Sequence, residues 1–307
     1  MYHYVRPLQN SRFPNIKGRT IQDFKGQLNY LRKHFHICRP FDVFDCLKTG
    51  QPIPDNWVLL TFDDGYSDHF RYVFPILHEQ NLSALFFPPV SVVVDRTLLD
   101  VNKIHFILAA CPDFNRVYKR LITLLCDYGF SAQEIDRLRK NYFHANRFDG
   151  PEVIFIKRVL QKGLPLITRG DLASHLFSEF VSVDERAFAE ELYLSVEECK
   201  TMASLNMCFG SHGRDHCWMG EMDAQSQEVE VKESLAFLRT IHESQFAPLP
   251  GLAMCYPYGS YNDETIACLQ KHGFAFALTT AVGDAKFSVS NRFEVKRYDT
   301  NDFPVCC

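Results

Sequence analysis

The sequence predicts an α/β fold of parallel strands with a helical insertion in the middle of the chain. Short apolar runs rich in β-branched or aromatic residues indicate about seven strands, and helical patterns separate most of them. Strand and helix in alternation favour parallel pairing, in either a barrel or a doubly wound sheet. The predicted strands are Tyr2–Val5, Val58–Phe62, Ala84–Phe87, Met207–Gly210, Ala253–Tyr256, Phe274–Thr279 and Phe293–Lys296.

Two helices of the alternating part have recognisable starts. Apolar or aromatic residues recur on one helical face over 21–35, and Thr20 with Asp23 forms a predicted capping box before it. A second capping box, Ser195-Val-Glu-Glu198, predicts a helix that leads into the strand at 207.

The interval from Asp100 to about Glu191 departs from the alternation. It carries several helical patterns in succession, without a convincing strand between them. A structureless loop of that length is improbable in a compact domain. We therefore predict a single domain over residues 1–307, with a helical insertion at about 100–191. The predicted helices of the insertion include Phe114–Tyr128, Ala132–Tyr142 and Pro151–Lys162.

Composition limits the classes of partner and location. The chain has 307 residues and 46% hydrophobic content, and its formal net charge of −4 gives no basic field for nucleic acid or anionic lipid. No apolar run approaches the roughly 18 residues of a membrane span, and the first residues lack a signal-peptide pattern, so we expect a cytoplasmic protein. The eleven cysteines, with Cys306-Cys307 at the end, include no CxxC pair, and we expect reduced thiols. The oligomeric state is left open.

Two adjacent carboxylates, Asp63 and Asp64, follow the apolar strand that ends at Phe62. Like charges placed there repel, and a bound cation or a raised pKa on one of them relieves the repulsion. A turn at Gly65 can bring both carboxylates to one opening. A solvated Asp-Asp-Gly turn is the alternative.

Two histidines, His212 and His216, follow the strand at 207–210 and lie one helical turn apart if the segment coils. Two imidazoles and one carboxylate are a zinc ligand set that leaves positions open for water and substrate. A chance pair is the alternative, since the chain has twelve histidines.

A third turn, Tyr256-Pro-Tyr-Gly259, closes another apolar strand. Pro257 fixes its own φ and Gly259 permits a tight turn, so the Tyr258 amide can face a ligand. A fixed amide can donate to an oxyanion, although an ordinary strand-to-loop turn explains the segment equally well.

In this order, Thr61-Phe-Asp-Asp-Gly65, Gly210-Ser-His-Gly-Arg-Asp-His216 and Tyr256-Pro-Tyr-Gly259 resemble the first three motifs of carbohydrate esterase family 4. These are the polysaccharide deacetylases, whose shared region is the NodB homology domain. The resemblance covers residues 1–99 and about 192–304, and it implies a distorted (β/α)₇ barrel with a helical insertion.

The resemblance also implies an activity and the roles of the site residues. The chain would remove an N-acyl group, N-acetyl above all, from an amino sugar or glycan intermediate. Asp63 would be the general base, and Asp64, His212 and His216 would bind zinc, with cobalt or nickel as alternatives. The metal would activate water, and the Tyr258 amide would hold the oxyanion.

The chain departs from the family pattern at three places. Gly213 stands where Ser or Thr is usual, and Cys255 stands where an Arg usually pairs with the base. Arg297 is the candidate for the missing cation because barrel strand ends converge on one face, and a surface ion pair is the alternative. The late histidine that protonates the leaving amine has no clear counterpart, which leaves His3 and His105 as candidates.

Further candidates concern the substrate. Tyr66, Pro257 and Tyr258 beside the motifs, and His105 in the insertion, are predicted to contact it. The polar residues of Asp100–Lys103 can bind a sugar or phosphate, but a capped helix start explains them equally well.

Two other functions fit the same residues. A barrel that binds metal and glycan without turnover fits the absent late histidine, and an amidase on a non-sugar amide would use the same chemistry.

Overall fold

The computed structural model describes residues 1–146, 149–242, 249–288 and 290–305, and Cys306-Cys307 lies outside this part. All nine cysteines of the described ranges are free. No helix among those residues is long and apolar enough to cross a bilayer. The chain divides into two compact units, and its description as one domain with an insertion stays a prediction. The first unit comprises Met1–Arg6, Gly18–Arg96 and Glu190–Cys307, and the second Pro7–Lys17 and Thr97–Ala189.

Short strands and many helices make up the described part of the chain. The strands are His36–Ile37 (β1), Trp57–Val58 (β2), Thr61–Asp63 (β3), Leu85–Phe87 (β4), Cys208–Phe209 (β5), Ala253–Cys255 (β6) and Phe276–Leu278 (β7). The α-helices are Ile21–His34 (α1), Pro40–Thr49 (α2), Phe74–Glu79 (α3), Val90–Val93 (α4), Asp100–Ala110 (α5), Phe114–Asp127 (α6), Ala132–Tyr142 (α7), Pro151–Arg158 (α8), Leu166–Phe180 (α9), Glu185–Leu192 (α10), Val196–Ser204 (α11), Ala224–Ile241 (α12) and Asp263–Lys271 (α13).

The strands of the first unit form a parallel row. β3 pairs with β4, β4 with β5, and β6 with β7, all in parallel. Isolated parallel bridges extend the row, from Tyr2 to β3, from Ser211 to β6, and from Val295 to β7. The row therefore runs from Tyr2 through β3–β4–β5–β6–β7 to Val295, which confirms the predicted distorted (β/α)₇ barrel. The separate parallel pair β1–β2 lies outside this order.

Apolar layers cover both faces of the strands. Leu85, Phe87 and Cys255 pack in one buried cluster, whereas Met254 and Ala277, on alternate strand positions, pack in another. Side chains that alternate in this way, apolar on both faces, are typical of a buried parallel sheet.

A row of aromatic rings crosses four neighbouring strand positions. Tyr2 stacks on Phe62 at 5.0 Å between ring centroids, and Phe62 stacks on Phe86 at 4.9 Å. Phe209 lies 5.7 Å beyond Phe86. Because each ring comes from a different strand, the row ties the strands together in one register.

Most predicted elements are confirmed, and the exceptions have local causes. Capping boxes begin α1 at Thr20 and α11 at Ser195, as predicted. The predicted strand 2–5 is reduced to single bridges, because its two ends pair with different neighbours. The predicted strand 293–296 is likewise reduced to one bridge, since turn hydrogen bonds occupy its start. The sequence reading missed α2, which Pro40 opens.

The second unit is helical from α5 to α9. The buried Lys103 ammonium lies 3.3 Å from Asp100 and 2.8 Å from Glu185, and it donates to the Ser174 hydroxyl at 2.9 Å. These contacts join three helices and account for the polar start of α5. His105 lies half-buried on α5, and its predicted roles stay predictions.

Substitution of Phe86 with Ala should lower the free energy of unfolding by about 3–5 kcal/mol, because it removes the central ring of the aromatic row and leaves a cavity. Urea unfolding followed by circular dichroism measures the change. Phe35→Ala is the control, since that ring is 37% exposed, and it should change stability by about 0.5 kcal/mol or less. Equal midpoints for the two variants would show that the row contributes little.

Candidate active site

Side chains from four strand ends meet at one opening of the first unit. Asp63 ends β3, His212 follows the bridge residue after β5, Cys255 ends β6, and Arg297 follows the last strand position. The strands are parallel, so their carboxyl ends lie at the same edge, where barrel enzymes hold their active sites.

The turn after β3 presents both carboxylates. Asp64 has a φ of 70° and Gly65 a φ of 68°, both left-handed. A Cβ on Gly65 would lie 2.6 Å from the Cβ of Pro88, so only glycine fits there. Asp63 is 3% and Asp64 4% exposed, which excludes the alternative of a solvated turn.

Asp64, His212 and His216 bring three potential metal-ligand atoms together. The Asp64 Oδ1 atom lies 3.4 Å from the Nε2 atom of each histidine. Tetrahedral zinc with bonds of about 2.0–2.1 Å separates neighbouring ligand atoms by about 3.3 Å, so the spacing fits one ion. The segment between the two histidines is a loop and not the helical turn that their spacing allowed. This loop brings the two imidazoles together.

A backbone contact fixes the protonation of one imidazole. The His212 Nδ1 atom lies 2.6 Å from the Cys255 carbonyl oxygen, which can only accept a hydrogen bond. Nδ1 therefore carries a proton, which leaves Nε2, 3.4 Å from Asp64, as the atom that would bind a metal. This is the usual arrangement of a metal-ligating histidine.

The second oxygen of Asp64 accepts a hydrogen bond from the Tyr66 hydroxyl at 2.6 Å. Burial acts to raise the pKa of Asp64, but contacts with His212 and His216 lower it well below its ordinary value. Burial and the Asp64 charge raise the pKa of Tyr66, so the phenol stays protonated. Tyr66 is fully buried behind Asp64. Its predicted contact with substrate stays a prediction, and the hydrogen bond indicates that it positions Asp64.

Arg297 forms a two-pronged ion pair with Asp63. Its two terminal nitrogens lie 2.9 Å from the two carboxylate oxygens, and its Nε atom donates to the Thr279 carbonyl at 2.9 Å. Burial acts to raise the pKa of Asp63, but the guanidinium more than offsets this and holds the pKa well below its usual range. Arg297 is 7% exposed, which excludes the surface ion pair that was its alternative.

Cys255 touches both members of this pair. Its Sγ atom lies 3.0 Å from Arg297 and 3.5 Å from Asp63. The small thiol at this position leaves room for a guanidinium that arrives from the last strand.

His3 lies at the rim of the same opening. Its Nε2 atom is 4.0 Å from Asp63, and its side chain is 40% exposed. The buried His69 ring contacts the His3 carbonyl oxygen at 2.9 Å and so holds the backbone below it. Of the two candidates for a proton donor, His3 is the one that the first unit places beside Asp63.

The turn after β6 places an aromatic ring against a histidine of the cluster. Tyr258 has a φ of 58°, and its ring centroid lies 4.6 Å from that of His216. On its other side the ring stacks on Trp218 at 4.3 Å, with 6° between the planes. Pro257 is buried beneath the turn. The sequence reading missed Trp218, although it comes only two residues after His216.

The loop between the two histidines rests on α12. The buried Glu230 carboxylate accepts hydrogen bonds from the backbone N–H groups of Arg214 at 2.6 Å and Asp215 at 3.0 Å. Ser211 donates to Ser234 at 2.7 Å. The sequence reading missed both residues of α12, because helix periodicity does not reveal which loop a helix supports.

Glu228, Cys268 and His272 form a second group of potential ligand atoms. Lys232, Lys271 and His272 already surround one oxygen of Glu228, at 2.9–3.0 Å. The cation charges satisfy this carboxylate, so the group is an ion-pair network that joins α12 to α13.

A family profile and a curated relative match parts of this chain. The family profile described as Polysaccharide deacetylase matches residues 50–105 and 149–277, more than half of the chain and part of the predicted insertion. Putative polysaccharide deacetylase YxkH of Bacillus subtilis (strain 168) is 27% identical over 100 residues. These are 33% of this chain and 34% of that protein, so the match spans about a third of the relative's length.

Solved structures share the fold. Streptococcus pyogenes deacetylase PplD in complex with acetate superposes with a TM-score of 0.56 and 17% identity, over 97% of this chain and 88% of that one. IcaB from Ammonifex degensii gives a TM-score of 0.52 and 18% identity, over 91% and 82%. A de-N-acetylase from Aggregatibacter actinomycetemcomitans gives 0.52 and 15%, over 97% and 93%.

Substitution of Tyr66 with Phe should weaken binding of a divalent metal by about tenfold or more, because removing a group that orients a ligand typically costs that much. Titration with Zn²⁺ against a chelating indicator measures the affinity. Tyr256→Phe is the control, since that buried hydroxyl donates to the Phe293 carbonyl at 3.0 Å and not to a ligand. Equal affinity in both variants would remove Tyr66 from the support of Asp64.

Proposed function

Because the chain belongs to the polysaccharide deacetylase family, we propose that it is a metal-dependent hydrolase that removes an N-acetyl group from an amino sugar or glycan intermediate. One observation carries the proposal. A buried ion pair, Asp63 with Arg297, lies beside a three-donor cluster of Asp64, His212 and His216 at one opening. That combination supplies a positioned base next to a cation site.

The three-donor cluster is the proposed metal site, with zinc as the expected ion and cobalt or nickel as alternatives. Two imidazoles and a carboxylate suit these metals, and the set leaves coordination positions open. A metal held there supplies Lewis acidity, which polarises the amide carbonyl and lowers the pKa of water.

Asp63 is the proposed general base. Arg297 keeps the carboxylate ionised and fixes both of its oxygens, so it is ready to accept a proton from the attacking water. The oxygen of that water then bonds to the amide carbon. The Tyr258 backbone amide, in the fixed turn after β6, is the proposed donor to the oxyanion that develops.

His3 is the proposed general acid. As the carbon–nitrogen bond breaks, its imidazolium gives a proton to the leaving nitrogen, and the products are acetate and a free amine. Its position beside Asp63 and its partial exposure suit a group that meets the leaving side of the substrate. Pro257, Tyr258 and His105 remain proposed contacts of the substrate, together with Tyr66.

The sequence left open a protein that binds metal and glycan without turnover. Two observations favoured that alternative: the late histidine is absent, and Cys255 stands where an Arg was expected. Arg297 and His3 weaken both grounds, because they bring the two missing chemical groups to Asp63 from other strands. A non-sugar amide as substrate also stays open, as does the expected cytoplasmic location. No partner other than the substrate is proposed.

Substitution of Asp63 with Asn should lower the rate of acetate release by about 100-fold or more, because the variant lacks a base. The assay follows acetate released from a panel of N-acetylated amino sugars and oligosaccharides, with zinc or cobalt supplied. Metal content should match that of the unmodified protein, since Asp63 is not in the ligand cluster. Retained turnover would remove Asp63 as the base, and no release by the unmodified protein on any substrate would favour the binding protein.

Substitution of His3 with Ala should slow amide hydrolysis by about 100-fold, the usual contribution of a general acid. Hydrolysis of 4-nitrophenyl acetate should change much less, because nitrophenolate leaves without a proton. His36→Ala, at an exposed histidine of the same unit, is the control for both substrates. An equal loss on amide and ester would assign His3 to structure and not to proton transfer.

A further inference from the structure

We propose that Glu230 is a positioning residue for the metal site, which sets the place of His216 by holding the backbone of the loop between the two histidines. This inference rests on the proposed metal site. Glu230 belongs to α12 and is not part of the three-donor cluster. Its effect on the metal therefore has to pass through the loop.

Backbone N–H groups of the loop between the two histidines donate hydrogen bonds to a side chain of α12. One oxygen of Glu230 accepts from the backbone of both Arg214 and Asp215, at 2.6 and 3.0 Å. The Gly213 N–H donates to the Ser211 hydroxyl oxygen at 3.2 Å. Three consecutive backbone donors thus have side-chain acceptors, so the residues between the histidines cannot shift without losing hydrogen bonds that are buried at Gly213 and partly buried at Arg214 and Asp215.

The carbonyl side of the same loop is held by another element. The backbone N–H groups of Val90 and Ser91, at the start of α4, donate to the carbonyl oxygens of Gly213 at 3.3 Å and Arg214 at 2.9 Å. The loop is therefore fixed from both edges, with the Glu230 carboxylate on its N–H edge.

This support matters because the loop departs from ordinary backbone geometry. Gly213 has a φ of 71° and His216 a φ of 55°, and the left-handed region is unfavourable for a residue with a side chain. A surrounding structure has to hold His216 in that conformation. The hydrogen bonds of Glu230 end one residue before it.

Gly213 and Glu230 also depend on each other. A Cβ at position 213 would lie 2.7 Å from the Glu230 carboxylate oxygen, closer than the two atoms can approach. A side chain at position 213 would therefore require the Glu230 carboxylate to move away, at the expense of its hydrogen bonds to the loop.

The experiment measures Co²⁺ binding to the full chain by visible absorption, which reports both affinity and coordination geometry. Glu230→Ala should weaken Co²⁺ binding by about 10- to 100-fold, the usual cost of losing a group that orients a ligand, and should alter the spectrum. Glu230→Gln keeps an acceptor oxygen for the two N–H groups, so its loss should be smaller. Gly213→Ala should weaken binding in the same direction, because the new methyl group displaces the carboxylate.

Glu233→Ala is the matched control. Glu233 lies on the same helix, and its carboxylate lies 3.9 Å from the Arg214 side chain rather than against the loop backbone, so its removal should leave affinity and spectrum unchanged. Thermal unfolding of the metal-free variants separates loss of the site from loss of the fold. If Glu230→Ala does not fold, Gly213→Ala takes its place in the test.

Wild-type affinity and spectrum in Glu230→Ala, or in Gly213→Ala where Glu230→Ala does not fold, would overturn the positioning role while leaving the metal site intact. An equal loss in Glu233→Ala would overturn it as well, because the effect would then follow from any carboxylate on this helix. A failure of the unmodified protein to bind Co²⁺ or Zn²⁺ would overturn the proposed function, and the role of Glu230 with it.

Discussion

Two adjacent carboxylates, Asp63 and Asp64, are buried together at the end of one apolar strand, where their negative charges repel each other. The rest of the site supplies the partners that offset this repulsion. Each carboxylate has its own partners. Asp63 has the guanidinium of Arg297, and Asp64 has two imidazoles and a tyrosine hydroxyl. A buried charge without a partner costs several kcal/mol, so the fold has to bring these groups together. The meeting of four strand ends at one edge satisfies that requirement.

The backbone of the opening is as unusual as its charges. Asp64, His216 and Tyr258, from three separate loops, all have left-handed φ values although none is glycine. Each such residue costs on the order of 1–3 kcal/mol and persists only where the surroundings hold it. Three of the seven such residues in the described part of the chain thus lie at this one opening, and pre-organised sites commonly hold strain of this kind.

The sequence predicted most of this site because the predictive rules are local or follow from parallel strands. Motif order identified Asp63, Asp64 and the two histidines, and the convergence of strand ends was enough to nominate Arg297, which the structure places on Asp63. The family resemblance and the barrel are confirmed. Glu230 was not predicted, because its role depends on which loop a helix packs against, and that is a tertiary fact. Strand lengths were overestimated, since apolar runs continue past the point where backbone pairing ends.

Arg297 gives Asp63 a cationic partner although it does not belong to the motif from which that partner was expected, where Cys255 stands. The family match ends at residue 277, so the cation on Asp63 and the histidine beside it, His3, both lie outside the matched region. A search for the family motifs alone would miss both side chains, although the structure places them beside Asp63. In a barrel the strand ends form a ring around one opening, so a charged side chain can reach the same place from different strands. Decisions about activity in such families therefore need to compare positions in space around the opening rather than positions along the chain.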